Sequence, residues 1–230
     1  AEAAELAEKG FLTSSCCPAF VSFVKKQFPE LADKVSSNMS PMATIAKRIK
    51  ELDPGAKTVF IGPCTAKKGE FQLPEVHKYV DCVLTFEELQ ALFDSRDLDV
   101  ASMEESELHD ASGFGRIFAH CGGLATAAAE ALKEQGSDFD LKPVSCNGIE
   151  ECKLALMKAS RGRLDANFVE GMACVGGCIN GAGSLTHGDV NRTKVDAFSK
   201  KSTLASITDS LRTASDEFDK SVAGGAGARE

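Results

Sequence analysis

The sequence has no excess of positive charge and no long apolar run. Its 26 lysines and arginines are outnumbered by 34 aspartates and glutamates, which gives a formal net charge of −8. Nucleic acids and anionic membranes bind basic faces, so we expect neither as a partner. No apolar stretch approaches the ~20 residues of a membrane span. The polar residues 1–10, with three glutamates, do not resemble a signal peptide, and we predict a cytoplasmic protein.

Two arrangements of cysteine are also absent: the paired Cys-x-x-Cys arms typical of zinc knuckles and the closely spaced cysteine runs of ferredoxin-type domains. The chain nevertheless has nine cysteines in 230 residues. An odd number, in a chain with 43% apolar residues and therefore a core of its own, does not suggest a secreted disulfide scaffold. We expect free thiols in a reducing compartment, used as metal ligands or in chemistry.

Strands alternate with helices along the middle of the chain, which predicts an α/β fold with small, mainly parallel sheets. Short apolar runs predict strands at 58–61, 80–84, 143–145 and 166–169. Apolar periodicity predicts helices at 18–28, 41–52, 85–94, 117–135, 147–160 and 204–218. Ser40 as an N-cap and the capping boxes Thr85-x-x-Glu88 and Asn147-x-x-Glu150 mark three helix starts.

The first residues are expected to belong to a domain that begins upstream of them. Residues 1–9 read as the end of a helix that Gly10 terminates, and this helix finds few predicted partners. We therefore expect residues 1–222 to be the C-terminal portion of a domain whose upstream part is missing. Residues 223–230, which contain a run of small residues, are predicted to form a flexible tail.

Three cysteine segments fall where α/β folds place their sites, at carboxyl ends of strands or at the start of a helix. Cys64 follows one predicted strand, and Cys174 and Cys178 follow another, spaced so that a helical turn would put both sulfurs on one face. Cys16 and Cys17 begin a helix, whose N-terminus lowers the pKa of a thiol. Thiolates from three segments suit zinc or an iron–sulfur cluster. The glycines at 176 and 177 would let a bulky cofactor approach.

Several neighbouring residues have both a plain and a functional interpretation. Lys67 is either a solvated lysine or a cation that donates to an anionic ligand of the metal site. Phe118 and Met172 either belong to the core or line an apolar pocket for a small gas molecule. Three further cysteines lie in apolar segments, where a thiol packs as a small hydrophobe: Cys82, Cys146 and Cys152. The role of Cys121 stays open.

The three cysteine motifs, taken in order, resemble the H-cluster domain of the iron-only (FeFe) hydrogenases. They read TSSCCP at 13–18, GPCTAKKGE at 62–70 and EGMACVGGCING at 170–181. The resemblance extends from about residue 11 to residue 183. It implies small, mainly parallel sheets flanked by helices, in two lobes with the metal site between them. The sequence departs from the usual pattern at three places. Gly62 occupies the place of a Met, Val175 that of a Pro, and Ala19-Phe20 that of a Gly-Trp pair.

The resemblance implies a role for each matching residue. A 4Fe–4S cubane would be held by Cys17, Cys64, Cys174 and Cys178. Cys178 would also bridge to a two-iron subcluster that carries CO, cyanide and a dithiolate with an amine. Cys16 would relay protons and Ser36 would continue their path, with two glutamates of that path upstream of this chain. Lys67 would donate to a cyanide, and Glu70 would support this segment or pair with a neighbour. The cofactor pocket would be lined by Pro41, Pro63, Phe118 and Met172.

The function implied is reversible heterolytic cleavage and formation of H₂. Ferredoxin or an iron–sulfur domain or subunit would be the electron partner, and maturases would insert the two-iron subcluster. Three alternatives stay open. A sensory homologue binds H₂ but turns over slowly, and would be expected to lose the relay thiol. An iron–sulfur assembly protein of the Nar1/NARF type lacks both that thiol and the two-iron site. A zinc-stabilised interaction module is the third.

Overall fold

The computed structural model describes residues 2–106 and 111–213, which contain two parallel β-sheets. The larger sheet has the strand order β1–β5–β4 and the smaller pairs β2 with β3. The strands are β1 (Leu12–Thr13), β2 (Val59–Ile61), β3 (Cys82–Leu84), β4 (Pro143–Asn147) and β5 (Phe168–Met172). Every strand pair is parallel, so the predicted α/β class with small parallel sheets is confirmed.

The larger sheet is covered on both faces and forms what we call the large lobe. Its central strand, β5, is buried at all five residues, as expected for a strand between two parallel neighbours. Alternate side chains of β5 serve different cores. Phe168 packs with α1 (Glu2–Lys9) and α8 (Gly123–Glu134). Val169 packs with α2 (Pro18–Gln27) and α9 (Ile149–Ala159).

The smaller sheet forms the small lobe, which has one core and an open side. Its buried cluster lies between β3 and two helices, and contains Met42, Ala43, Ala46, Val76, Val80 and Val83. The outward residues of β2 are exposed, Val59 by 51% and Ile61 by 43%. The helices of this lobe are α3 (Pro41–Leu52), α4 (Ala66–Glu70), α5 (Pro74–His77) and α6 (Phe86–Asp94).

Two further complete helices, the described part of another at 207–213 and four short 3₁₀ turns complete the secondary structure of the described residues. The helices are α7 (Gly113–Arg116) and α10 (Asp189–Ser199), which pack against each other. The 3₁₀ turns are Pro29–Lys34, Val100–Ser102, Ile117–Ala119 and Cys178–Asn180. Within 2–106 and 111–213, every helix is too short or too polar to cross a membrane.

Two of the predicted helix starts are confirmed and one is wrong. The Ser40 side chain accepts from the Ala43 N–H, and Thr85 and Glu88 form a complete capping box. The box predicted at Asn147 does not form, because Asn147 is the last residue of β4. Its side chain accepts from the Gly176 N–H instead, and α9 begins after Gly148.

The two ends of the chain also differ from expectation. Helix α1 is not short of partners, since Ala3 and Leu6 are buried and the helix packs on α8. Helix α10 is absent from the sequence prediction, because its apolar residues are few and spread around it. Of the helix predicted at 204–218, residues 207–213 are helical and residues 204–206 are not, whereas residues 214–218 and the predicted tail 223–230 lie outside the described residues.

Candidate metal centre

Each of the three cysteine segments follows the carboxyl end of a β-strand. Cys16 and Cys17 follow β1, and Cys174 and Cys178 follow its parallel neighbour β5, so both segments leave the same edge of the large sheet. Cys64 follows β2 in the small lobe. The loop after Cys178 joins the lobes there, because the Gly183 N–H donates to the Pro63 carbonyl oxygen at 2.9 Å.

The four predicted ligands lie within electrostatic reach of one another. Burial, together with Cys17 and Cys64, raises the pKa of the Cys178 thiol to about 12, and Lys67 opposes them. Burial also raises the pKa of Cys174, again together with Cys17 and Cys64. These neighbours show that thiols from three segments and both lobes converge, with one lysine beside them.

The arrangement fits a cluster better than a single ion. No three His, Cys, Asp or Glu side chains in the described ranges are grouped closely enough to hold one metal ion. One zinc ion requires its sulfurs about 2.3 Å from a common centre. Four converging thiols are the donor set of a 4Fe–4S cluster. The residues present therefore fit such a group.

The loop between Cys174 and Cys178 is a tight turn and not the helical turn that the spacing suggested. Gly176 and Gly177 have backbone φ angles of +87° and +92°, which residues other than glycine rarely adopt. They do not leave open space for a cofactor. A Cβ at Gly177 would lie 2.6 Å from the Cys121 nitrogen, and one at Gly176 would lie 2.5 Å from the Asn180 side chain. These glycines let neighbouring protein pack behind the loop.

Cys16 is a buried thiol whose pKa is raised well above its ordinary value. Burial is the main cause, and Glu2, Cys17 and Cys178 add to it. The lowering expected at a helix N-terminus is outweighed, because Cys16 precedes the N-cap, Cys17, and points into the interior. At neutral pH Cys16 therefore carries a proton.

Lys67 is one of the few buried charged residues, and it is paired. Its Nζ lies 2.7 Å from Glu70 Oε2, and the two side chains are 8% and 9% exposed. The same Nζ donates to the Cys16 carbonyl oxygen at 3.4 Å. The solvated alternative for Lys67 is wrong, and the pairing expected of Glu70 is present.

The predicted pocket residues differ in their burial and in their closeness to the cysteines. Met172 is buried at the end of β5, and Phe118 is half-buried against the same apolar cluster as Cys16. Pro63 is half-buried beside Cys64, whereas Pro41 is exposed at the start of α3. The structure thus brings Met172 and Phe118 towards the cysteines and gives no such support for Pro41.

Two glutamates of α1, which sequence reasoning missed, connect Cys16 with Ser36. Glu2 accepts from the Ser15 N–H at 3.2 Å, and burial raises its pKa. Glu5 accepts from the Ser36 hydroxyl at 2.7 Å. Burial alone would raise the pKa of Glu5, but hydrogen bonds from Lys9, Ser36 and Ser37 together lower it to about 2. Two glutamates of this chain thus lie beside the predicted relay residues. Their i, i+3 spacing on one helix face was the available signal.

The remaining cysteines are mostly packing residues, as expected. Cys146 and Cys152 are buried in the core beside β5, and the Cys152 thiol lies 3.7 Å from the Met172 carbonyl oxygen. Cys82 is half-buried in β3. Cys121 is buried, and its N–H donates to the Gly176 carbonyl oxygen at 3.1 Å. Its backbone therefore supports the ligand loop from behind.

Comparison with solved structures supports the fold. A variant of the FeFe-hydrogenase HydA1 from Chlamydomonas reinhardtii superposes with a TM-score of 0.70 at 20% identity, over 94% of this chain and 76% of that chain. The apo form of another HydA1 variant gives a TM-score of 0.67 at 21% identity, over 88% of this chain and 70% of that one.

Curated relatives fall in two groups. Iron hydrogenase 1 of Clostridium pasteurianum is 30% identical over 80% of this chain and 39% of its own length. The NADP-reducing hydrogenase subunit HndD of Solidesulfovibrio fructosivorans is 29% identical over 80% of this chain and 38% of its own. The cytosolic Fe-S cluster assembly factor NAR1 of Kluyveromyces lactis is 35% identical over 41% of this chain and 20% of its own. This chain thus spans about two fifths of the length of these two hydrogenases.

Residues 1–182 match the family model that describes the C-terminal domain of the iron only hydrogenase large subunit. That range contains all four converging cysteines, Cys16, and the Lys67–Glu70 pair. The predicted resemblance is therefore confirmed, and this chain belongs to the family formed by the C-terminal domains of iron-only hydrogenase large subunits.

Proposed function

We propose that this chain forms part of a centre that reversibly cleaves and forms H₂. A 4Fe–4S cubane would be held by Cys17, Cys64, Cys174 and Cys178. Family membership supports iron–sulfur binding and H₂ metabolism. One observation carries the proposal beyond the family: a row of protonable groups leads from Cys16, beside the ligands, through α1 to the surface.

The residues of the chain are suited to hold the groups that this reaction needs. When bound, a two-iron group bridged by Cys178 would supply a Lewis-acidic metal for hydride and an amine base for the proton. Lys67, buried and fixed by Glu70, places a positive charge beside Cys178, where anionic ligands such as cyanide would need one. Met172 and Phe118 would exclude water. Pro41 and Pro63 stay predicted contacts of that group.

The proton route follows from the hydrogen bonds. Cys16 keeps its proton because burial raises the pKa of its thiol, so it can donate and be refilled. The carboxyl of Glu2 lies near enough to Cys16 to raise the pKa of its thiol, and near enough to the Ser36 hydroxyl for that hydroxyl to lower the pKa of Glu2. The Ser36 hydroxyl then donates to Glu5. Glu5 pairs with Lys9 on the exposed side of α1, at 2.6 Å, and this is where the route reaches solvent.

The second candidate is a non-enzymatic iron–sulfur assembly protein. It is favoured by curated relatives named as cytosolic Fe-S cluster assembly factors. A cluster scaffold has no use for a proton route, so the buried Cys16 thiol and its two glutamates favour the hydrogenase. Ferredoxin or an iron–sulfur subunit as electron partner, the maturases and a cytoplasmic location all stay predictions. So does the extent of the domain, residues 1–222.

Infrared spectroscopy separates the two functions. After maturation the chain should show CO and cyanide stretching bands together with a 4Fe–4S signal. A 4Fe–4S signal without those bands would contradict the hydrogenase and favour the assembly protein.

Two matched pairs of variants test the proton route. Cys16→Ser and Glu2→Gln should each reduce H₂ turnover by about 10²–10⁴-fold, the usual contribution of a positioned proton donor, while the cubane stays bound. Cys82→Ser, in β3, and Glu8→Gln, exposed on α1, should leave turnover unchanged. Normal turnover in Cys16→Ser or Glu2→Gln would show that protons take another route.

A further inference from the structure

Two asparagines that the proposed function leaves without a role bond to the backbone of the loop that carries the last two predicted ligands. Asn147 ends β4, and its side-chain oxygen accepts from the Gly176 N–H in the middle of the loop. Asn191 lies on α10, and its Nδ2 donates to the Ile179 carbonyl oxygen at 2.9 Å, directly after Cys178. The loop is therefore held at two points by side-chain amides from two different elements.

The first point fixes a single glycine from both sides. While the Gly176 N–H donates to Asn147, the Gly176 carbonyl oxygen accepts from the Cys121 N–H at 3.1 Å. The neighbouring side chain does not hold the loop by packing, because Val175 is 69% exposed. The left-handed backbone of Gly176, with φ of +87°, is thus set by these two hydrogen bonds.

The second point fixes the 3₁₀ turn Cys178–Asn180, which begins at a predicted ligand. The Nδ2 of Asn191 lies within hydrogen-bond distance of three acceptors. They are the carbonyl oxygens of Ile179 (2.9 Å) and Thr186 (2.8 Å) and Asn180 Oδ1 (3.2 Å). Asn180 Oδ1 also accepts from the Gly188 N–H at 3.0 Å, just before α10. The turn is therefore bonded to the start of α10.

Helix α10 comes from outside the part of the chain that matches the family, since it follows the matched residues 1–182. The helix is itself fixed near its end. The Arg116 guanidinium lies 4.1 Å from the centre of the Phe198 ring and donates to the Phe198 carbonyl oxygen at 3.0 Å. Asn191 thus connects the ligand turn to a packed helix that the family match does not include.

We infer that Asn147 and Asn191 are positioning residues, which hold the loop from Cys174 to Cys178 in its ligating conformation before a cluster binds. The inference rests on the ligand set of the proposed function. A loop that is already ordered does not lose conformational entropy when its thiols bind the cluster. Groups that orient metal ligands in this way usually contribute about 10–100-fold to metal affinity. The two asparagines act through the loop backbone and not as ligands.

The first test measures how firmly the cluster is held. The chain is reconstituted with iron and sulfide, and an iron chelator is titrated in until half of the iron is removed. Asn147→Ala and Asn191→Ala should each lower the chelator concentration at this midpoint by about 10–100-fold. The matched control is Asn167→Ala, at the opposite end of β5. Asn167 likewise bonds to backbone, with Nδ2 donating to the Asp140 carbonyl oxygen and Oδ1 accepting from the Lys142 N–H, both at 2.7 Å. Its variant should leave the midpoint unchanged, and urea unfolding compares the stability of all three variants.

A second measurement needs no cluster. In the metal-free chain, Asn147→Ala should speed hydrogen exchange of the Gly176 N–H by about tenfold, whereas Asn147→Asp keeps an acceptor and should restore the slow exchange. Equal exchange in Asn147→Ala and the unchanged chain would overturn the role of Asn147. Either asparagine fails as a positioning residue if its alanine variant holds the cluster as firmly as Asn167→Ala does. An unchanged chain that takes up no cluster would instead contradict the proposed ligand set, and the inference would fail with it.

Discussion

In each lobe a glutamate accepts hydrogen bonds at a helix N-terminus, but the two glutamates differ in burial and in how far along the chain their partners lie. In the large lobe Glu170, fully buried on β5, accepts from the N–H groups of Gly122 and Ala125 at the start of α8 and from the Ser145 hydroxyl. In the small lobe Glu88, 46% exposed, reaches back only three residues to the Thr85 N–H. Glu170 thus joins distant elements of the large lobe through buried bonds, whereas Glu88 makes a local bond at the surface of the small lobe.

This difference bears on the metal centre. The large lobe supplies Cys16, Cys17, Cys174 and Cys178, so most of the site stands on the rigid sheet. The small lobe supplies Cys64 and Lys67, and it contacts the large lobe through bonds such as those of Gly183 with Pro63 and of Lys67 with the Cys16 carbonyl oxygen. We expect mutations in the large lobe to cost stability and matched mutations in the small lobe to cost little.

The largest expected effect comes from the two capping glutamates. Glu170→Gln turns an amide NH₂ towards buried N–H donors, and should lower the free energy of unfolding by about 2–4 kcal/mol. Glu88→Gln keeps the capping box, which accepts Gln, and loses only the exposed pair with Lys68, so it should cost much less than Glu170→Gln. Urea unfolding of both variants checks this. Equal losses would show that the lobes are fixed alike.

The next effect concerns two glycines. A Cβ at Gly171 of β5 would lie 2.4 Å from the Phe20 ring, whereas a Cβ at Gly69 of α4 meets nothing within 4 Å. Gly171→Ala should therefore lose about 1–3 kcal/mol by overpacking. Gly69→Ala should be neutral or gain about 0.5–1 kcal/mol, because alanine is the better helix former.

A double variant identifies the cause of the Gly171 effect. Phe20→Leu removes the ring, so the added methyl group should cost much less in the Phe20→Leu background than alone. The comparison again uses unfolding free energies. If the cost of Gly171→Ala is the same in both backgrounds, the contact with Phe20 is not its source.

The smallest effect is the acid sensitivity of the small lobe. Hydrogen bonds from the Lys50 side chain and the Thr58 N–H hold the pKa of Asp81 well below its usual range. A lowered pKa means that this stabilisation is present above about pH 3.8, the ordinary value for the carboxyl, and is lost as the pH falls below it. Asp81→Asn should remove this pH-dependent part of the stability.

Urea midpoints between pH 6 and pH 2.5 measure that loss. Asp97→Asn, on an exposed turn of the same lobe whose left-handed φ asparagine tolerates, serves as the control. If Asp81→Asn and Asp97→Asn flatten the pH profile equally, the cluster around Asp81 is not responsible.

The sequence predicted the fold class, four strands of the two sheets and the cysteine segments, because these depend on local signals: apolar runs, Pro and Gly punctuation, and motif spacing. It did not predict β1, which has only two residues. It failed where a residue has a partner far along the chain. Asn147 has the local pattern of a cap, but its bond to Gly176 crosses between segments. Glu2 and Glu5 give only a weak local signal, because only the packing of α1 on α8 brings them to Ser15 and Ser36. Burial of Cys16 reversed a pKa expectation drawn from the helix end alone.

The contact between Phe20 and Gly171 also limits how this chain can diverge. The ring lies where any side chain at 171 would begin, so the two positions cannot change independently. In an alignment of family members they should covary: a larger residue at 171 should accompany an aromatic ring at 20 only where that ring is displaced. Because one position lies beside the first cysteine motif and the other in the last, their pairing would mark the lineage of this chain within the family.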